Sequence, residues 1–202
     1  MWPFLTAAIF LAASINRGSS LIGEQCLSVN IESCSGSLDL CPKGVTHCFS
    51  GRENYTAGPN VVLTALKGCV DPAKQVTCGK EVGFTSPALS LWITQNCCDS
   101  NECNRHKIHV PPVKLTANGY KCPTCFTDQS SDGCTPTEDL LCTGKEDQCA
   151  TLTGSAIRPD VPLKGYSIRG CATKNACDVG IVSLATTKAY NLDLKCFSSN
   201  KV

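Results

Sequence analysis

The chain has 202 residues, of which 17% are charged, 6% are aromatic and 17 are cysteine, and its formal net charge is +1. So small a charge leaves no basic excess to neutralise phosphates, which argues against nucleic acid as a partner. Many cysteines and few aromatics point to small domains braced by disulfides rather than to one large apolar core.

The chain opens with "MWPFLTAAIFLAASINRGSS". An apolar run from Phe4 to Ala13, followed by small polar residues, reads as a secretory signal peptide over residues 1–20, with cleavage expected after Ser20. The run is shorter than the roughly 20 residues a membrane span needs. Removing it takes away Arg17 and no acid, leaving 17 basic against 17 acidic residues. The C-terminal "KCFSSNKV" has no hydrophobic tail of the kind a lipid anchor requires. The expected product is secreted, extracellular and without a membrane anchor. In an oxidising compartment its thiols are expected to pair.

From residue 21 onward the chain is written twice. Cys26, Cys34, Cys41, Cys48, Cys69, Cys78 and Cys97 superpose on Cys125, Cys134, Cys142, Cys149, Cys171, Cys177 and Cys196 at offsets of 99 to 102 residues. The neighbouring words agree, "LKGC" at 66–69 meeting "IRGC" at 168–171. This is an internal duplication, with one module over 21–104 and a second over 119–202. Between them, 105–118 reads as a linker: it has no cysteine, is locally basic and is stiffened by Pro111 and Pro112. Arg105 and Lys107 make it a candidate cleavage site.

Within each copy the pattern is β. "VVLTALKGC" (61–69) and "ALSLWITQNCC" (88–98) are apolar or β-branched runs, and "YSIRGC" and "IVSLATTKAYNL" take their places in the second copy. "AGPN" (57–60) and "RPDVP" (158–162) read as turns. No segment carries a sustained helical period.

"NCCDSNECN", residues 96–104, resembles the closing signature of the urokinase-receptor/lymphocyte-antigen three-finger family, with Cys97, Cys98, Cys103 and Asn104 at its fixed positions. The "CPTC" that opens the second copy and the spacing between cysteines match as well. The resemblance implies an all-β, disulfide-rich chain of two tandem three-finger (snake-toxin-like) domains. Unanchored tandem modules resemble the gamma-type phospholipase A2 inhibitors and the sodefrin precursor-like factors, which are amphibian courtship pheromone proteins. The words "ANGYKCPTC", "LLCTGKEDQC", "YSIRGCAT" and "YNLDLKC" are most similar to the pheromone branch.

The family pattern implies the bridges Cys26–Cys34, Cys41–Cys69, Cys78–Cys97 and Cys98–Cys103 in the first module. In the second it implies Cys122–Cys149, Cys125–Cys134, Cys142–Cys171 and Cys177–Cys196. Phe197 stands where the second module's paired adjacent cysteine belongs, so that closing loop is lost without an orphan. In the first module Gly23 stands where the family's first cysteine belongs, and its partner position is Cys48. An odd count of 17 cysteines agrees that one thiol is left over. Cys48 is therefore expected either to be an idle buried thiol or to link two chains into a disulfide-bonded dimer.

Catalytic and metal chemistry find little support. "CPTC" as half a zinc site needs thiolates that a secreted chain does not keep. His106 and His109 fall in the linker, and "HKIH" has the wrong spacing for a two-histidine site. His47 adjoins Cys48 and could activate it, but neighbours on a strand point to opposite faces. No enzyme activity and no cofactor are expected. Asn54-Tyr55-Thr56 is a glycosylation sequon near an expected finger turn. The remaining chemistry is that of binding loops. The repeat places finger ends at Tyr55 to Asn60, Thr85 to Leu89, Arg158 to Lys164 and Leu184 to Thr187.

The resemblance first implies a pheromone ligand for a chemosensory receptor, acting as a whole protein, since no dibasic pair marks a peptide for excision. The alternatives are an inhibitor of secreted phospholipase A2 and a soluble binding protein similar to the urokinase-receptor modules.

Overall fold

Disulfides close the base of antiparallel hairpins in each copy, and the computed structural model describes residues 20–57, 59–71, 73, 77–109, 112–158, 161–180 and 188–202. In the first copy β1 (Ile22–Val29) pairs β2 (Ser37–Leu40), β3 (His47–Ala57) pairs β4 (Asn60–Val70) and β5 (Glu81–Thr85) pairs β6 (Leu89–Cys98). The second copy has β7 (Ala117–Thr127) on β8 (Glu138–Thr143), and β9 (Glu146–Arg158) between β10 (Val161–Thr173) and β11 (Lys188–Ser198). The terminal β12 (Asn200–Lys201) returns to β7. Part of "IVSLATTKAYNL", residues 181–187, lies outside the described residues.

The all-β reading misses one element, the six-residue helix α1 (Lys174–Val179). It is too short to carry a helical period. Its start is set by Thr173, whose hydroxyl accepts from the Ala176 amide, and its end by Gly180 at φ 75°.

The two modules are not beads on a linker. Strand β10 of the second copy pairs β5 of the first, with Cys171 opposite Thr85 and Ala172 opposite Phe84. The ladder runs β11-β9-β10-β5-β6-β3-β4-β1-β2 without a break. The backbones approach so closely that a Cβ on Gly170 would lie 2.0 Å from the Thr85 carbonyl oxygen, so only glycine fits there.

Cross-strand partners share a face of a sheet. Tyr55, Leu91, Phe84 and Ala172 lie in one such row, and Leu194, Leu152 and Ile168 in another. We call this the inner face. Val82, Phe84, Leu89, Leu91 and Ile93 of the first module form one apolar cluster there with Ala150, Leu152, Ile168, Ala172 and Ala176 of the second. The largest carbon core of the molecule is thus the seam between the copies. Each module's own base is packed largely by sulfur: fully buried Cys122, Cys142, Cys149 and Cys171 in the second, and Cys41 and Cys48 with Leu21 in the first.

Polar groups tie the same seam. The Thr173 hydroxyl accepts from the Gly83 amide (3.1 Å) and donates to the Glu81 carbonyl (3.3 Å), while it also caps α1. Asn175 Nδ2 donates to the same Glu81 carbonyl, and Lys145 pairs with the Glu81 carboxylate. Glu146 is fully buried here. Its Oε2 accepts from the amide and hydroxyl of Thr143. Its Oε1 has no hydrogen-bond partner of ordinary geometry among the described residues. Burial pushes the Glu146 carboxyl above the usual range, and the Thr85 and Thr143 donors offset only part of that.

Candidate binding surface

The knot at the base of the fingers holds eight disulfides: Cys26–Cys34, Cys41–Cys69, Cys78–Cys97, Cys98–Cys103, Cys122–Cys149, Cys125–Cys134, Cys142–Cys171 and Cys177–Cys196. Cys48 is the free cysteine, and it is fully buried. Gly23 sits directly against it: a Cβ there would lie 2.6 Å from Cys48 Sγ and 3.6 Å from Cys48 Cβ. The thiol donates to the Ile22 carbonyl at 3.7 Å, and burial pushes its pKa up. The neighbouring imidazole does not change this, because His47 Nδ1 hydrogen-bonds the Thr46 hydroxyl instead. A dimer linked through Cys48 is therefore corrected: a sulfur with no exposed surface cannot reach a second chain.

The closing asparagine of the signature explains how β1 is held without that bridge. Asn104 is buried; its Oδ1 accepts from the Glu24 amide and its Nδ2 donates to the carbonyls of Glu24, Phe49 and Gly68. Beside it, Glu24 and Lys67 form a buried ion pair at 2.7 Å. Burial raises the Glu24 pKa, but Lys67 and the Gly36 amide more than offset it, so the carboxyl stays below its ordinary range. Lys67 also donates to the Arg105 carbonyl.

The start of the expected linker is consequently not free chain. Residues 104–109 run as a strap over the outer face of the first module. Ile108 is buried against Ala65 and the Cys26–Cys34 bridge, and its carbonyl accepts from Arg52. Asn96 Nδ2 donates to the His109 carbonyl. His106 and His109 are exposed on either side of Ile108 and do not converge on a site. Pro111 lies outside the described residues. The sulfurs of Cys122, Cys142 and Cys171 lie within 4.8 Å of one another, but all three are in disulfides and offer no thiolate to a metal.

The expected finger ends fare differently. Tyr55 belongs to β3 and packs on the seam cluster, so the second finger's free end is shorter than Tyr55 to Asn60; Asn60 is exposed. The turn from Thr85 to Leu89 lies at the junction of the two modules. Thr85 pairs with Cys171, and Ser86 and Leu89 are buried, because β10 of the second module pairs β5 at this turn, while Pro87 at its apex is exposed. Arg158 and Lys164 belong to strands β9 and β10, and Lys164 is paired with Asp128. Leu184 and Thr187 lie outside the described residues.

One surface was missed by the sequence reading. Leu27, Val29 and Ile31 on and beyond β1 are 55%, 40% and 56% exposed. Leu27 pairs with Leu66 and Val29 with Thr64, which places both on the inner face. Their alternation in "CLSVNI" is the signal that could have found them. Apolar side chains in such a row, open to solvent on a braced hairpin, are suited to contact with another protein. Among the described residues no helix is long and apolar enough to cross a membrane.

The comparisons fit this architecture. The family model of the u-PAR/Ly-6 domain matches residues 21–106 and again 118–201. Protein RoBo-1 of Rattus norvegicus is 32% identical over 184 residues, 88% of this chain and 68% of its own. A phospholipase A2 inhibitor gamma subunit of Laticauda semifasciata is 27% identical over 77% of this chain and 83% of its own. The urokinase plasminogen activator surface receptor of Aotus trivirgatus is 33% identical over 83% of this chain, which spans 46% of that receptor. Two matched modules, one per copy of the repeat, make this chain a member of the u-PAR/Ly-6 domain family.

Proposed function

We propose that the chain is a secreted, non-enzymatic protein that acts by binding another protein, and that its partner is a secreted phospholipase A2. The observation that carries this reading is co-extension. The gamma inhibitor chain of Laticauda semifasciata matches over 83% of its own length, and that of Elaphe climacophora over 84%, so the resemblance extends over most of each chain. Leu27, Val29 and Ile31 are the side chains we assign to the contact. They are exposed, apolar and carried on a hairpin that the Asn104 bonds and the Cys26–Cys34 bridge keep rigid, which lowers the entropy lost on binding.

The test is titration of purified protein into a panel of secreted phospholipases A2, reading phospholipid hydrolysis and complex formation by gel filtration. Loss of turnover with a 1:1 complex is expected, and Leu27→Asp with Val29→Asp should weaken it at least tenfold. Full turnover and no complex across the panel overturn the reading. A second reading, a pheromone ligand for a chemosensory receptor, is favoured by "ANGYKCPTC" and "YNLDLKC". It expects a response of chemosensory tissue to the intact protein, and silence there removes it.

A further inference from the structure

We propose that Asn54 carries an N-linked glycan that covers the outer face of the first module between the strap and the end of the second finger. Asn54-Tyr55-Thr56 is the one Asn-x-Ser/Thr sequon in the chain, and its counterpart in the second copy begins with Ser155. The structure moves it from the expected turn into the middle strand β3, flanked by β4 and β6. Strand alternation then decides its direction. Tyr55 faces inward to the seam cluster, so Asn54 faces outward, where it is exposed. Its carboxamide has no hydrogen-bond partner among the described residues, so a sugar there displaces nothing. Two residues along the same face, Arg52 is already covered, bonded to the Glu32 and Ile108 carbonyls. Ser50 lies beneath it, opposite the Asn96 that holds His109. Cover by the strap therefore ends just short of Asn54. Beyond it the same face leaves Val61 62% exposed opposite Thr56, with Leu63 half-buried opposite Asn54 itself. A glycan continues the cover over this apolar strip and leaves the inner row of Leu27 and Val29 open.

The chemistry is that of transfer from a lipid-linked oligosaccharide diphosphate in the secretory pathway. Asn54 Nδ2 forms a bond to the anomeric carbon of the first sugar and loses one proton. The bond from that carbon to the diphosphate oxygen breaks, and the lipid diphosphate leaves. The Thr56 hydroxyl supplies the third sequon position.

This inference rests on the secreted reading, so the experiment separates the two. The full chain is expressed in mammalian cells with its own residues 1–20 and, in parallel, with those residues replaced by a leader of known function. Medium is treated with peptide N-glycosidase. The expected result is a mass drop of one glycan, abolished in Asn54→Gln and Thr56→Ala and retained in Thr56→Ser. Unshifted protein in the replaced-leader medium overturns the glycan. Retention in the cell with the native leader alone overturns secretion and leaves the glycan to the other arm. Removing the sugar from folded protein should raise binding of an apolar fluorescent dye, and Val61→Ser should cancel the rise; unchanged dye binding overturns the covering role.

Discussion

Gly23→Cys should close a ninth bridge, and the structure sets both its geometry and its size. A Cβ at position 23 would stand 3.6 Å from Cys48 Cβ, inside the spacing of about 3.5–4.5 Å at which disulfides form. The second module already has this bridge, since Cys122 occupies the corresponding place and joins Cys149. Residues 23 and 48 are 25 positions apart in the chain, and the Cys26–Cys34 bridge shortens that loop in the unfolded state. Chain entropy for a closed loop of roughly 17 to 25 residues amounts to about 3 kcal/mol. For a protein of this size that is a rise in melting temperature of roughly 6–12 °C. The assay pairs thermal unfolding with thiol counting in denaturant. The parent should show one thiol that labels only after unfolding, and the variant none. Gly23→Ala is the control: its methyl would sit 2.6 Å from the sulfur without bonding it, and overpacking should lower stability by about 1–3 kcal/mol. Gly23→Cys protein that keeps two titratable thiols, or that melts no higher than the parent, would refute the placement of Gly23 against Cys48.

Three further outcomes follow from the seam and the strap. Thr173→Val removes a helix cap and two bonds between modules at once, and should cost about 1–3 kcal/mol in denaturant unfolding. Trypsin cleavage between Arg105 and Lys114 should leave the halves together, eluting at intact size without denaturant, because β5–β10 pairing and the shared cluster do not depend on the connection. Glu146→Gln should raise stability at neutral pH. Because the folded-state pKa of Glu146 lies above its unfolded value, the parent loses stability as pH rises from about 4.3 through the folded pKa. The difference between parent and variant in pH-resolved melting should therefore vanish below that range; a difference that grows toward acid pH sinks the assignment.

What the residues announced and what they hid divide along physical lines. Cysteine spacing is a strong signal because a disulfide tolerates little variation in the distance between its ends, so the repeat and the three-finger architecture could be read from it. The seam could not. "ALSLWITQNCC" reads as strand whether the cover is its own module or another. Only the structure shows that Leu91, Trp92 and Ile93 are buried in succession, as in a strand covered on both faces. Asn104 was legible as a signature residue, but its four contacts with three strands were not. Phe197 read as a lost cysteine; in the fold its ring lies 5.3 Å beneath the Arg169 guanidinium, a cation–π contact in the place of a bridge. Ile108 looked like linker because its segment has no cysteine and runs into Pro111 and Pro112.

The pairing of the first module's third hairpin with β10 has a consequence for how the duplication can evolve. In a chain of separable modules either copy can be lost, exchanged or reversed in order while the other continues unharmed. Here the third hairpin of the first copy has become the socket of the second. A change in one that improves its own surface is tested at once against the fit of the other, so the pair must vary as a single heritable unit.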